Sequence, residues 1–309
     1  MNELLAALRA WVEAGWLREV AHAFAGFLAS QAPGAPARGV LAAALASHQL
    51  GRGHVCLDLG ALATDAEETL ALPPDEDESV PQAAHVLLQE IAATPLEDWF
   101  AALQDARLVG TGEGATPLVL AGTRLYLRRY WRHERAVRHA IEARLSADDA
   151  GTSFGQLRPA LELLFPRDGD EGPDWQKVAC ALATRSRFAV VTGGPGTGKT
   201  TTVVKLLALL QHLAPTGADG RTRRLRIRLA APTGKGAARL NESIASAVGR
   251  LPLAQLGTPE LLRAAIPSRV ETVHRLLGGS PLRGGFRHHE HHPLPLDVLV
   301  LDGASMLGV

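Results

Sequence analysis

Apolar residues recur at three- and four-residue spacing from the start of the chain. Leu4, Leu5, Leu8, Val12 and Trp16 mark one face and predict helix over residues 1–30. The Pro- and Gly-rich stretch 31–39 predicts a turn, and helix resumes over 40–50. Gly51 and Gly53 end that helix, and residues 54–59 read as a short strand. PPDEDES, 73–79, reads as a solvated acidic loop, followed by helices over 80–93 and 96–106. PLVLAGTRLYL, 117–127, alternates as a hairpin about Ala121-Gly122. Residues 128–145 form a charged amphipathic helix. No internal repeat is evident.

The pattern changes after the acidic turn PRDGDEGPD, 166–174, which is taken as the domain boundary. RFAVVT, 187–192, is a short apolar run of the kind that fills a parallel strand buried on both faces. A helix follows over about 198–213, then a strand at 224–231, a helix at 235–249 and a strand at 297–301. Strands alternating with helices predict a doubly wound parallel sheet. The fold class is therefore α/β, with a mostly helical N-terminal domain over 1–165 and a sheet domain over 166–309.

Composition adds little to this picture. Apolar residues make up 46% and charged residues 21% of 309, which is globular. Lys plus Arg and Asp plus Glu are both 32, so no overall basic charge points to nucleic acid and local charge must be read instead. Cys56 and Cys180 are far apart and read as structural thiols, without a disulfide framework or a Cys-rich metal site. The N-terminal apolar residues are interrupted by Glu3, Arg9, Glu13 and Arg18, unlike a signal peptide. No stretch reaches membrane-spanning length, so no membrane partner is expected and a cytoplasmic location is the default.

The chemistry is most legible at GGPGTGKTT, 193–201, which fits G-x-x-x-x-G-K-[ST]. A phosphate that touches backbone N–H groups directly needs side chains absent, hence Gly193, Gly194, Gly196 and Gly198, with Pro195 and Thr197 as the other loop residues. The helix beginning after the loop aims its unpaired N–H groups and positive dipole end at the anion. Lys199 would reach the β- and γ-phosphates, the Thr200 hydroxyl would ligate Mg²⁺, and Thr201 completes the loop. The expected second metal-site residue is an Asp at a strand end, and Asp302 closes DVLVLD in that way. Lys199 and Asp302 are thus the catalytic candidates, and ATP with Mg²⁺ the expected ligands.

Four segments occur in order: WQKVACALATRSRFAVVTGGPGTGKTTTVVKLLALL at 175–210, LAAPTGKGAARLNES at 229–243, ETVHRLLG at 271–278 and DVLVLDGASM at 297–306. Together they resemble the RecD family, the alpha subunits of exodeoxyribonuclease V, which are superfamily 1 DNA helicases with RecA-like P-loop motor domains. SHQLGRGHVCLDL, 47–59, and PLVLAGTRLYLRRYWRHE, 117–134, are similar to the family's N-terminal region. The resemblance implies ATP-driven 5′-to-3′ movement on single-stranded DNA, in a complex with RecB-like and RecC-like partners that acts in double-strand-break repair and recombination. It places Gln176 where such helicases read adenine; an amide matches the N7 acceptor and N6 donor of that base. Pro232, Thr233 and Lys235 fall in the family's DNA-contacting motif Ia, and Thr272 and His274 in a segment near the DNA channel. From the residues alone, Thr233 is also a helix N-cap and His274 a structural histidine.

The sequence departs from the family pattern after Asp302. The residue there should be a Glu that positions or activates the attacking water, and it is Gly303. Losing a general base costs roughly 10²–10⁴-fold in rate, so binding without efficient turnover is expected. The motifs that should follow, and the second motor domain, are not found among these 309 residues, so the sheet domain is expected to be incomplete and the chain an N-terminal fragment. Two other readings stand beside the helicase subunit: a non-enzymatic ATP-binding or scaffold remnant, and a stand-alone RecD-like helicase.

Three further features read as structural. Arg221, Arg223, Arg224, Arg226 and Arg228 form a solvated face rather than a DNA contact. RRYWRHERAVR, 128–138, reads as an amphipathic helix burying Tyr130 and Trp131, in a region that faces partners in the family. HHEHH, 288–292, fails the zincin spacing at Pro293 and reads as a solvated loop.

Overall fold

The computed structural model describes residues 1–73, 82–146, 154–166, 172–194, 196–214, 223–253, 256, 259–280 and 285–307. The acidic loop at 73–79, Arg221, Pro195 and most of the expected boundary 166–174 therefore lie largely or wholly outside the described residues. The chain divides into two compact units, residues 1–138 and 139–308.

The first unit is mostly helical. It runs through α1 (Asn2–Glu13), α2 (Glu19–Gln31), α3 (Ala37–Gly51), β1 (Leu57–Asp58), α4 (Leu59–Thr64), α5 (Ala66–Leu70), α6 (Gln82–Ala92), α7 (Leu96–Ala102), β2 (Val109–Gly110), β3 (Leu118–Ala121), β4 (Arg124–Leu127) and the start of α8 (Arg128–Leu145). The single helix expected over 1–30 is two. The chain folds back after α1, with the Trp16 and Leu17 N–H groups both donating to Trp11 O at 2.8 and 3.1 Å. This sets the Trp11 and Trp16 rings 5.8 Å apart, and Trp11 donates from Nε1 to Ala84 O at 2.9 Å. Burying two indoles against α6 outweighs the continuation of an amphipathic helix. α3 is the centre of the unit, buried at every residue from Gly39 to Gln49. The expected hairpin forms, with Ala121 opposite Arg124 and Leu118 opposite Leu127. The strand expected over 54–59 shortens to β1, because Asp58 turns to cap α4 and accepts from the Gly60 and Ala61 N–H groups. Trp131 is buried beside Val119 and Tyr126 in a small separate cluster, as the amphipathic reading of α8 requires, but Tyr130, expected to be buried too, is only partly so and meets His133 edge-on at 6.1 Å.

The second unit holds α9 (Phe154–Leu164), α10 (Trp175–Thr184), α11 (Lys199–His212), β5 (Ile227–Ala231), α12 (Gly234–Gly249), α13 (Pro259–Ala265), β6 (Val270–Thr272), α14 (Val273–Leu276), β7 (Gly279–Ser280), β8 (Gly285–Phe286) and β9 (Val298–Leu301). Its sheet is parallel, in the order β6-β5-β9. Crossover helices between parallel strands give the α/β class expected. Ile227, Leu229 and Ala231 turn into a core shared with Val204, Leu207, Leu240 and Ile244 of α11 and α12.

The strand expected at RFAVVT, 187–192, is not formed. The segment is irregular and outward, with Val190 71% exposed. A parallel strand of this apolarity is stable only with paired edges and cover on both faces. Among the described residues it has no ladder partner, and β9 pairs only with β5. Both cysteines are structural: burial pushes the Cys180 thiol up to about 12 and raises that of half-buried Cys56.

Candidate nucleotide-binding site

The site begins with a helix cap. Asp174 accepts from the Gln176 and Lys177 backbone N–H groups at 2.9 and 3.0 Å and so starts α10. Beside it, Trp175 stands 73% exposed. The Gln176 side chain crosses to the glycine loop and donates from Nε2 to Thr197 O at 3.0 Å. Within the loop, Thr197 Oγ1 donates to Gly194 O at 2.9 Å. Gly198, at φ +79°, meets the need of a left-handed backbone, and a Cβ there would lie 2.6 Å from the Gln176 side-chain tip.

Gly198 hands the chain directly to α11 with no side-chain cap. The first-turn N–H groups of this 14-residue helix therefore keep their donor capacity for an anion. Lys199 folds back and donates from Nζ to Gly193 O and Gly194 O, both at 2.6 Å. Two neutral carbonyls are weaker partners for an ammonium than phosphate oxygens, so the seat is exchangeable.

Lys199, Thr200 and Asp302 line one cavity of about 800 Å³, whose apolar wall includes Val203, Val298 and Val300. Asp302 reaches it because the Asp302 N–H donates to Ala230 O at 2.9 Å, extending the β5–β9 pairing by one step past Leu301. Asp302 lies at the carboxyl edge of the parallel strands, where open α/β sheets bind ligands, and the cavity runs back from it along β9 to Asp297. One hydroxyl and one carboxylate suit Mg²⁺, which keeps waters and phosphate oxygens as its other ligands. No group of three or more His, Cys, Asp or Glu side chains able to hold a metal occurs among the described residues. Gly303 follows in the left-handed region at φ +65°, with only Pro232 atoms, at 3.6 and 3.9 Å, near a would-be Cβ. There is space for a Cβ at 303, but the left-handed backbone disfavours any side chain there.

The expected DNA-contacting residues sit at the same edge. Ala231 pairs with Thr272, and Pro232, Thr233 and Lys235 follow β5 directly. Thr233 caps α12, accepting from the Gly236 N–H at 3.1 Å, and Lys235 is exposed. Thr272 caps α14 through the Arg275 N–H at 3.3 Å, and the His274 ring packs on Phe286 at 5.7 Å. Both thus make local structural contacts.

Two features expected to be solvated are so. Among the described arginines of the run, Arg223, Arg226 and Arg228 are exposed, as a solvated face requires, and also paired. Asp297 receives Arg223 at 2.7 Å and Arg226 at 3.1 Å, and Arg228 lies 3.8 Å from Glu271. Arg226, through its guanidinium and its backbone N–H, holds the Asp297 carboxyl down to about 2. The HHEHH segment is a tight turn, with His289 and His292 exchanging backbone hydrogen bonds at 3.1 and 2.9 Å and His288 stacked on His292 at 5.1 Å. Sequence reasoning missed Asp174 and Asp297. The first carried a usable signal, an Asp directly before a helical pattern; the second is 71 residues from its partner Arg226 and carried none.

Residues 13–126 match the family described as RecBCD enzyme subunit RecD, N-terminal domain, and residues 176–309 match an AAA domain. The chain is 36% identical over 271 residues to the RecBCD enzyme subunit RecD of Haemophilus influenzae, covering 87% of this chain and 40% of that protein. It is 37% identical over 270 residues to the same subunit of Mycolicibacterium smegmatis, covering 87% and 41%. Similarity also extends to the ATP-dependent RecD2 DNA helicase of Deinococcus radiodurans, at 32% identity over 207 residues, 66% of this chain and 22% of that protein. The chain thus spans about two-fifths of the RecD subunits it matches.

Proposed function

We propose, from the premise that this chain belongs to the RecD family over the part it spans, that it is the ATP-binding portion of a RecD-type DNA helicase subunit. The observation that carries the reading is the convergence of Lys199, Thr200 and Asp302 on one cavity beside the Gly193–Thr201 loop. The loop and α11 N–H groups take the phosphates. Lys199 leaves the Gly193 and Gly194 carbonyls for the β- and γ-phosphate oxygens. Thr200 and Asp302 hold Mg²⁺, which neutralises phosphate charge when bound. Gln176 reads adenine. Pro232, Thr233, Lys235, Thr272 and His274 contact the phosphates of single-stranded DNA.

The finer assignment is a 5′-to-3′ motor working with RecB-like and RecC-like subunits in the cytoplasm, in double-strand-break repair. The names of the relatives and the match of residues 13–126 to a RecD N-terminal domain support it. We assign residues 1–165 to partner binding and 166–309 to part of the first motor domain. The two family matches, which end at 126 and begin at 176, are compatible with a junction there. Lys199→Ala is expected to lower ATP affinity at least tenfold by calorimetric titration; unchanged affinity would reject the site.

Gly303 favours a second reading, an ATP-binding component that does not turn ATP over by itself. A glycine offers no base where the family pattern calls for one, and its left-handed backbone does not invite one. Rapid DNA-stimulated ATP hydrolysis by the purified chain would eliminate this reading.

A further inference from the structure

Gln176 touches the phosphate loop as well as standing where a base reader is expected. Its Nε2 donates to Thr197 O, and a Cβ on Gly198 would lie 2.6 Å from that nitrogen. The glutamine is itself held from below, because its backbone N–H is fixed by the Asp174 carboxylate. Above it the contact runs on through Thr197 Oγ1 to Gly194 O, which is one of the two seats of the Lys199 ammonium. A continuous set of hydrogen bonds therefore joins the α10 cap to the lysine that would meet the phosphates.

A primary amide has two N–H donors and a carbonyl acceptor. One N–H engages Thr197 O. The other N–H and Oε1 remain, and these are the pair that matches N7 and N6 of adenine. The two tasks use different atoms and are compatible at the same time.

We propose that Gln176 is a strut between base and phosphate loop: a positioning residue that braces Thr197–Gly198 while it reads adenine, so that the base helps set the loop that grips the phosphates. This rests on the nucleotide-binding reading of the loop. A residue that only reads the base would act on ATP alone. A residue that only supports the loop would act equally on any phosphate ligand. A strut acts on both, and more on ATP.

The test compares binding of ATP and of inorganic tripolyphosphate, which has no base, to the whole chain with Mg²⁺ present, in wild type, Gln176→Ala and Gln176→Met. The methionine keeps the approximate size of the side chain and adds no charge but cannot donate to Thr197 O, so it serves where alanine fails to fold. Loss of one neutral hydrogen bond predicts that tripolyphosphate weakens by about three- to tenfold in both variants. ATP should weaken by a clearly larger factor. Unchanged tripolyphosphate affinity would overturn the strut and leave a base reader. Equal losses for the two ligands would overturn it in favour of loop support alone. Wild type binding neither ligand would instead show that the nucleotide reading itself fails, and the strut with it.

Discussion

The two compact units solve the burial problem in opposite ways. In residues 1–138, α3 is buried along eleven consecutive residues, and Trp11, Trp99, Leu45, Leu57 and Leu118 are all wholly inaccessible. In residues 139–308 the helices α11 and α12 bury one face of the sheet, but β9 leaves Leu299 39% and Leu301 40% exposed and opens onto the large cavity beside Lys199. Identical driving forces act in both. The difference is that a ligand-binding edge must leave polar groups and space unsatisfied, whereas a helical scaffold need not. The first unit should therefore be limited by its packing and the second by what it binds.

The largest expected effect is in the first unit. Trp11→Ala removes a wholly buried indole and its hydrogen bond to Ala84 O. It should cost roughly 3–5 kcal/mol, read as an earlier urea transition by circular dichroism, with ATP affinity retained. Loss of nucleotide binding in that variant would contradict the contrast. Next, saturating MgATP should stabilise the second unit by about 2.7 kcal/mol at a hundredfold excess over the dissociation constant. Protease protection should appear within 172–307 and not in 1–138. Uniform protection of both units would blur the distinction.

A smaller effect is expected at Gly303. Its φ of +65° makes Gly303→Ala cost about 1–2 kcal/mol in the second unit, unless the backbone relaxes. The smallest is pH-dependent. Arg226 depresses the Asp297 carboxyl from 3.8 to about 2, so its contribution is complete above pH ~4 and is lost as the pH falls through about 2. Asp297→Asn should flatten the acid limb of the stability profile of the second unit, and an unchanged limb would show that the arginine contacts there contribute nothing.

Much of the fold was legible where the pattern is local. The hairpin at 118–127 follows from alternation about a Gly turn, and α8 has the very bounds predicted, 128–145, because charge and apolar spacing agree over five turns. Legibility ended where a segment depends on distant neighbours. RFAVVT has strand composition but no paired edge, and residues 1–30 have helical spacing but a stronger claim from Trp11 and Trp16 on α6. The site divides in the same way. The glycines, Lys199 and Asp302 announce themselves by spacing. The reach of Gln176 to Thr197 spans 21 residues, and no periodicity predicts it.

Trp175 gives the molecule an optical handle. The chain has five tryptophans; Trp11, Trp16, Trp99 and Trp131 are at most 6% exposed, and Trp175 is 73% exposed beside the glutamine of the phosphate loop. Its emission should be red-shifted and open to collisional quenching by iodide, which scarcely reaches the other four. The red edge of the emission and its iodide-quenchable part therefore report mainly on one indole, next to Gln176. Ligand arrival at that corner can be followed in real time on the unlabelled protein.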